Sequence, residues 1–203
     1  KLKKKFKEID LSKSYSGEGI IISNNNAKGV ILKGIDKEEK NIKEFFNNFT
    51  SKGNIENFNT NKIFIGSELA FNLDLKVGDS LSLMSSAFVS TPLGTLPKQE
   101  NFKIGGIFNT GFIEFDQNII FLNINDALSI FNKEYSDLNI EIFIKDPLKA
   151  NSLKEKIYQI NQNYFVYTWS DLNKSLFSAL KVERNVMFLI LSLIIVVAAF
   201  NII

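Results

Sequence analysis

The sequence predicts an α+β domain that continues into one long apolar helix. Over residues 1–170, short β-branched runs alternate with segments whose apolar residues recur at helical spacing, and charges of both signs are interspersed. Strands and helices in mixed order with short connections are typical of α+β domains. Residues 186–203 contain no charge and no proline. Eighteen helical residues reach about 27 Å, close to the ~30 Å hydrocarbon core of a bilayer, so this segment is predicted to cross a membrane.

The first half of the domain is predicted from hydrophobic period and turn residues. The predicted strands are residues 19–23, 29–35 and 62–65. The predicted helices are residues 2–9, 37–49 and 67–75, and Ser67 is the expected N-cap of the last. The lysines at positions 1, 3, 4, 5 and 7 are interpreted as the solvated face of the opening helix, in preference to a lipid- or nucleic-acid-binding arm.

In the second half, the predicted strands are residues 102–108, 118–122, 138–145 and 164–168, and the predicted helices are residues 126–131 and 148–160. Gly105 and Gly106 predict a bulge or bend. Glu114 and Asp116 alternate on a segment that we expect to be extended and solvent-facing, which does not favour a catalytic carboxylate pair. Trp169 is expected to anchor the core or the base of a stalk.

From Ser170, an expected N-cap, apolar residues recur at helical spacing with no proline or glycine before residue 186. This pattern predicts one continuous helix over residues 171–203. Residues 171–185 would form a stalk outside the bilayer and residues 186–203 the membrane segment. A stalk of this kind suits transmission of movement and passive anchoring equally.

Composition excludes several chemistries. The chain has no cysteine and no histidine, which removes disulfides, thiolate sites, Ser-His-Asp triads and histidine-based zinc sites. It also lacks the GxxxxGK[ST] phosphate loop. We therefore expect no catalytic residues, no metal and no cofactor in this chain. Its net charge of +2 does not indicate a nucleic-acid partner.

Residues 85–99, SSAFVSTPLGTLPKQ, are predicted to form a long connection between two strands, and such connections are often functional. Pro92 and Pro97 stiffen the segment, and Leu93 and Leu96 would give it an apolar tip. The alternative interpretation is a proline-rich turn that folds back onto its own domain.

The amino terminus has no apolar stretch of the signal-peptide kind. Either residues 1–170 stay in the cytoplasm or a membrane helix precedes them. We expect a fragment that is truncated at both ends. Lys181 and Arg184 favour a cytoplasmic position only slightly, because the positive-inside rule compares both flanks of a helix.

Several blocks resemble one known family. They are Glu183-Arg184-Asn185 followed by an apolar run ending in AAFNI, GVILKGID at residues 29–36, IGSELA at residues 65–70 and VGD at residues 77–79. In order and spacing these blocks resemble the LolC/LolE lipoprotein-releasing permeases over nearly the whole chain. The resemblance implies a MacB-type ABC transporter permease of the bacterial inner membrane, with a periplasmic domain of porter-like and sabre-like parts.

The LolC-like members carry a hook of the form TP-x-G-x-x-P-x-Q that binds the periplasmic chaperone LolA. The resemblance therefore implies that the hook residues here are Thr91, Pro92, Leu93, Gly94, Thr95, Leu96, Pro97, Lys98 and Gln99. Glu100 departs from the family, which often has a basic residue there, and Lys98 is the expected substitute. Met187, Phe188 and Leu191 are candidates for lining the lipid-facing opening through which cargo enters, with ordinary helix packing as the alternative.

The resemblance further implies a LolD-like ATPase that binds ATP, a second permease subunit (LolE-like or a copy of this chain), and lipoprotein cargo. A second possible function is another MacB- or FtsX-type permease that exports a small molecule or controls a cell-wall hydrolase. A membrane-anchored enzyme is a third, which the missing histidines and motifs disfavour.

Overall fold

The computed structural model describes residues 9–23, 26–92, 94–160 and 162–202. The chain divides into two compact units, Lys1–Phe143 and Ile144–Ile203, each described by itself. The predicted opening helix lies outside the described residues except for Ile9, which begins a strand. Leu93 also lies outside them.

The described strands alternate with short helices, as predicted. The strands are β1 (Ile9–Ser23), β2 (Asn26–Ile35), β3 (Thr50–Gly53), β4 (Lys62–Gly66), β5 (Ser80–Thr91), β6 (Gly94–Phe108), β7 (Ile119–Asn123) and β8 (Asn139–Ile144). The helices before residue 144 are α1 (Lys40–Phe49), α2 (Ser67–Asn72), α3 (Ile113–Asn118) and α4 (Ile124–Ile130).

Six of these strands pair in a closed ring. Their order is β1, β2, β7, β4, β6 and β5, and the ring closes because β1 pairs with both β2 and β5. The β2–β7 and β4–β6 pairings are parallel, and the other four are antiparallel. The predicted irregularity is confirmed at Gly105, where the β4–β6 register shifts by one residue. The result is a mixed sheet.

The core has an aliphatic and an aromatic part, separated by the two-residue period of the strands. In β4, Ile63 and Ile65 belong to the aliphatic cluster, whereas Phe64 between them belongs to the aromatic one. In β7, Ile120 and Leu122 share the aliphatic cluster, and Phe121 lies in the aromatic one. Successive side chains of a strand point to opposite faces. Strands β4 and β7 are therefore buried on both faces.

The N-cap of helix α2 lies one residue before its predicted position. Gly66 occupies the N-cap position and Ser67 is the first helical residue. The Ser67 hydroxyl is buried and has no hydrogen-bond partner among the described residues. A Cβ on Gly66 would collide with the carbonyl oxygen of Asp116, so the close approach of β4 and α3 fixes a glycine at this turn. The predicted cap was therefore wrong.

The segment with Glu114 and Asp116 is helical, not extended, since both residues lie in α3. Asp116 is buried instead of facing solvent. Its carboxylate accepts hydrogen bonds from the backbone N–H of Thr110 at 3.0 and 3.2 Å and from the Thr110 hydroxyl at 2.7 Å. A buried carboxylate is tolerated when such donors satisfy it.

The second unit contains three α-helices among its described residues: α5 (Ala150–Ile160), α6 (Trp169–Leu172) and α7 (Lys174–Ile202). Residues 164–168 do not form the predicted strand. Thr168, not Ser170, caps α6, through a capping box with Asp171. The Lys154 ammonium lies 2.7 Å from the Asp171 carboxylate, and its hydrogen bond, with those from Thr168, holds the pKa of Asp171 well below its usual range.

The predicted continuous helix is interrupted once. Helix α6 ends at Leu172 with Asn173 as its C-cap, and α7 begins at Lys174, three residues after the predicted start at position 171. Helix α7 has 29 residues, which is about 43 Å at 1.5 Å per residue. Among the described residues, Lys174–Phe200 is the one helix long and apolar enough to cross a membrane, judged by length and composition.

Candidate functional site

Residues 85–99 are part of a β-hairpin and not the long connection that was predicted. Strands β5 and β6 are joined by positions 92 and 93 alone. The pairs behind the turn are Thr91 with Gly94, Ser90 with Thr95, Val89 with Leu96 and Phe88 with Pro97. Strand pairing, with side chains alternating between the two faces, therefore continues as far as Thr91 and Gly94.

The tip is fixed by three local features. The Thr91 hydroxyl donates a 2.7 Å hydrogen bond to the carbonyl oxygen of Gly94. Gly94 has φ +123°, a conformation that favours glycine. Pro92 has its φ locked by its ring. These constraints reduce the conformational entropy that the tip loses when a partner binds it.

Within the part of the chain that the structure describes, the hairpin beyond Ser85 pairs only with itself. Strand β5 pairs with β1 as far as Ser85, and β6 pairs with β4 only from Lys103 onward. We call residues 86–98 the arm. Two of its large apolar side chains, Phe88 and Leu96, are 64% and 56% exposed. The arm is thus not the turn folded back onto its own domain that the alternative interpretation predicted.

Each face of the arm carries one apolar cross-strand pair. Phe88 and Pro97 share one face, and Val89 and Leu96 share the other, because paired residues of an antiparallel ribbon point the same way. Pro97 also has no N–H to offer to another strand, which discourages pairing along its edge. The arm therefore presents side chains, more than backbone, to a partner.

At the base of the arm, the two strands are unequal. Three β5 residues, 85 to 87, oppose Lys98 alone between the pairs Met84–Gln99 and Phe88–Pro97. The Ser85 hydroxyl donates to the carbonyl oxygen of Ile130 at 2.6 Å. The Lys98 ammonium donates to the Ser129 carbonyl oxygen at 2.6 Å. Both strands are therefore attached to the end of α4.

The comparisons with known proteins place the chain in a family. No protein-family model matches it. The transmembrane protein LolC of Buchnera aphidicola subsp. Schizaphis graminum is 32% identical over 196 residues, covering 87% of this chain and 47% of the relative. LolC of Xylella fastidiosa (strain 9a5c) is 32% identical over 142 residues, or 70% of this chain and 34% of the relative. The chain belongs to the LolC/LolE family.

The chain thus spans between a third and a half of the length of the curated LolC proteins that it matches, 34% and 47% in these two cases. Its fold is also similar to the periplasmic region of MacB from Actinobacillus actinomycetemcomitans, with a TM-score of 0.51 and 13% identity. That match covers 86% of this chain and 78% of the MacB region. The predicted MacB-like α+β fold is confirmed.

In this LolC/LolE family member, the predicted hook residues divide into a tip and a base. Pro92, Gly94, Thr95, Leu96 and Pro97 are exposed on the arm, and Thr91 is half-buried beneath the turn. Gln99 is exposed just below the arm. Lys98, the expected substitute for a basic contact residue, is turned toward α4, and its side chain is 23% exposed.

Sequence reasoning missed part of the LolC/LolE arm. Phe88 and Val89 are as exposed as the predicted hook residues, yet they lie upstream of the TP-x-G motif. A signal was present in the sequence, because a hairpin centred between Thr91 and Gly94 pairs these residues with Pro97 and Leu96. The contacts with Ser129 and Ile130 had no such signal, since they join distant parts of the chain.

Met187, Phe188 and Leu191, the candidates for a lipid-facing opening, lie on one side of α7. They are 52%, 74% and 54% exposed, as are the apolar side chains around them. The structure therefore does not distinguish them from the rest of the apolar surface. Over residues 9–23, 26–92, 94–160 and 162–202, no group of three or more acidic side chains is placed to hold a metal ion.

Proposed function

We propose that this chain is part of the permease subunit of an inner-membrane ABC transporter, which passes outer-membrane-directed lipoproteins to a soluble periplasmic chaperone of the LolA type. Two observations support the proposal. The chain belongs to the LolC/LolE family, and its arm is a stiff, exposed, apolar hairpin. The arm is the main support for the proposal, because its exposed apolar side chains are suited to binding a soluble partner.

The energetic cost of lipoprotein release explains why a permease would hold a chaperone on the arm. Moving an acyl chain out of the bilayer costs about 0.8 kcal/mol per methylene group, and a lipoprotein with several chains therefore needs tens of kcal/mol in total. A chaperone with an apolar cavity offsets this cost only if it is present at the moment of extraction. Holding the chaperone on the arm raises its effective concentration at the release point.

The energy for extraction comes, in this proposal, from a separate LolD-like ATPase subunit, since this chain has no GxxxxGK[ST] loop. A second permease subunit, LolE-like or a copy of this chain, completes the membrane part. The 29-residue α7 would carry movement between the membrane and the soluble side. This chain then acts by binding and transmission and has no catalytic role.

The proposal is tested with the chain in lipid nanodiscs and a purified LolA-type chaperone. Phe88→Ser and Leu96→Ser each remove one exposed apolar side chain, from opposite faces of the arm. Truncation of a central contact residue costs more than about 1 kcal/mol, or about fivefold in affinity. We expect at least one variant to show this loss in a binding titration.

Phe71→Ser is the matched control, because Phe71 is 83% exposed but lies on α2 instead of the arm. Its affinity for the chaperone should equal that of the wild type. Unchanged affinity in both arm variants would remove the arm from the binding site. No binding by the wild-type protein would remove the chaperone and favour the other proposed class, a MacB- or FtsX-type permease with a different partner.

A further inference from the structure

We propose that Ser85, Lys98 and Glu100 form a latch that sets the angle of the arm by holding both of its strands on the C-terminal end of α4. Lys98 and Glu100 are then positioning residues and do not touch the chaperone. The effect on chaperone capture rests on the proposed function, whereas the effect on the arm's angle does not.

The end of α4 is a fixed platform. Its residues Ala127, Leu128 and Ile130 are buried in the core. Asn132 has φ +55° and closes the helix, with its N–H bonded to the Ser129 carbonyl oxygen and the following N–H bonded to that of Leu128. A strand attached to this platform takes its position from the core.

Each strand of the hairpin has its own attachment. On β5, the buried Ser85 hydroxyl donates to the Ile130 carbonyl oxygen and accepts from the backbone N–H of Ala87 at 3.1 Å. On β6, the Lys98 ammonium donates to the Ser129 carbonyl oxygen. The C-terminal end of a helix carries a partial negative charge, which favours a cation at this point.

Glu100 completes the latch. Its carboxylate lies 3.2 Å from the Lys98 ammonium and accepts a 3.0 Å hydrogen bond from the Ser129 hydroxyl. The Lys98 and Glu100 side chains are only 23% and 27% exposed. The pair is therefore shielded more than an ordinary surface ion pair.

The latch is needed because the arm has a weak point at its base. The bulge at residues 85–87 interrupts the ladder, and a bulge bends and twists the strand that contains it. A two-stranded ribbon alone is only marginally stable. Beside the bulge lies a hollow of about 360 Å³, lined in part by Tyr15, Phe88 and Phe131. The base of the arm therefore lacks close packing on this side, and the attachments to α4 must hold it in place.

The angle is measured directly with spin labels. The chain has no cysteine, so Thr95→Cys at the tip and Glu44→Cys on α1 give two unique labelling sites, both exposed. For the doubly labelled but otherwise wild-type chain in nanodiscs, double electron–electron resonance should give a narrow distribution of distances between the two labels. Lys98→Met should broaden it, and Lys98→Arg, which keeps a donating cation, should keep it narrow.

Lys76→Met is the control for charge removal, since Lys76 precedes β5 at the end opposite to the tip. It should leave the distribution narrow. Ser85→Ala tests the second attachment and should also broaden it. The melting temperature is measured for every variant, and the comparison is made below it. Distributions as narrow as the wild type in both Lys98→Met and Ser85→Ala would overturn the latch.

Chaperone affinity, measured without labels, separates the latch from the proposed function. If release of the latch leaves about a tenth of the arms in the binding orientation, the apparent affinity falls about tenfold. We expect this loss in Lys98→Met and recovery in Lys98→Arg. If the wild type binds no chaperone, the proposed function fails, while the distance distributions still decide whether the latch exists.

Discussion

At the scale of single residues, a few close contacts decide where this fold tolerates side chains. Gly66 and Gly106 both lie where an added Cβ would collide, with the Asp116 carbonyl oxygen in the first case and with the Phe64 ring in the second. Backbone has less freedom to move away than the end of a flexible side chain. Gly66 is therefore the stricter requirement.

We predict that Gly66→Ala destabilises the domain by about 1–3 kcal/mol, the usual range for overpacking in a core. Gly29→Ala is the matched control, because Gly29 is also in the sheet but has no atom within 4 Å of an added Cβ. The measurement is urea unfolding of the full chain in detergent, monitored by circular dichroism. Equal midpoints for the two variants would contradict the collision at Gly66.

At the scale of elements, the aromatic half of the core depends on α1. Phe46 of this helix is 1% exposed, and its ring lies 5.0 to 5.5 Å, between ring centroids, from those of Phe58, Phe64 and Phe121. These distances are typical of favourable aromatic pairs. Helix α1 is therefore held to β4 and β7 through Phe46, together with Phe45, whose ring centroid lies 5.4 Å from that of Phe121.

We predict that Phe46→Ala costs about 3–5 kcal/mol of unfolding free energy, because it leaves a cavity among three rings. Phe71→Ala, at an 83% exposed position of α2, should change stability by less than about 0.5 kcal/mol. Thermal unfolding of both variants measures the difference. A small cost at Phe46 would mean that the aromatic cluster collapses to fill the space.

At the scale of the whole molecule, the arm belongs to one unit and the long apolar helix to the other. The arm must lie in an aqueous compartment, whereas the helix is suited to a membrane. The proposed function requires the arm to be periplasmic. Because the chain has no native cysteine, Thr95→Cys reports the location of the arm alone.

We predict that a membrane-impermeant maleimide labels Thr95→Cys in intact spheroplasts to the same extent as a permeant reagent. The protein without an added cysteine is the blank for both reagents. Labelling that appears only after the spheroplasts are lysed would place the arm in the cytoplasm and exclude capture of a periplasmic partner. The labelled fraction on a denaturing gel is the readout.

Features that depend on nearby residues were readable from the sequence. The apolar run within residues 62–65 predicted a strand, the spacing of Ile42, Phe45, Phe46 and Phe49 predicted a helix over residues 37–49, and the uncharged segment at residues 186–203 predicted the membrane part of α7. Each of these is a local pattern, in which residues a few positions apart lie on the same face or on opposite faces of one helix or strand. The blocks that resemble the LolC/LolE family are local in the same sense.

Tertiary structure alone decided the features that join distant residues. The ring closes through β1, whose partners β2 and β5 are more than forty residues apart along the chain. The Lys98 ammonium bonds to a carbonyl 31 residues away, and the Thr168–Asp171 cap of α6 is supported by Lys154, which lies 17 residues from Asp171 along the chain. A local pattern specifies which face of an element is apolar, whereas the choice of partner depends on the packing of all elements together.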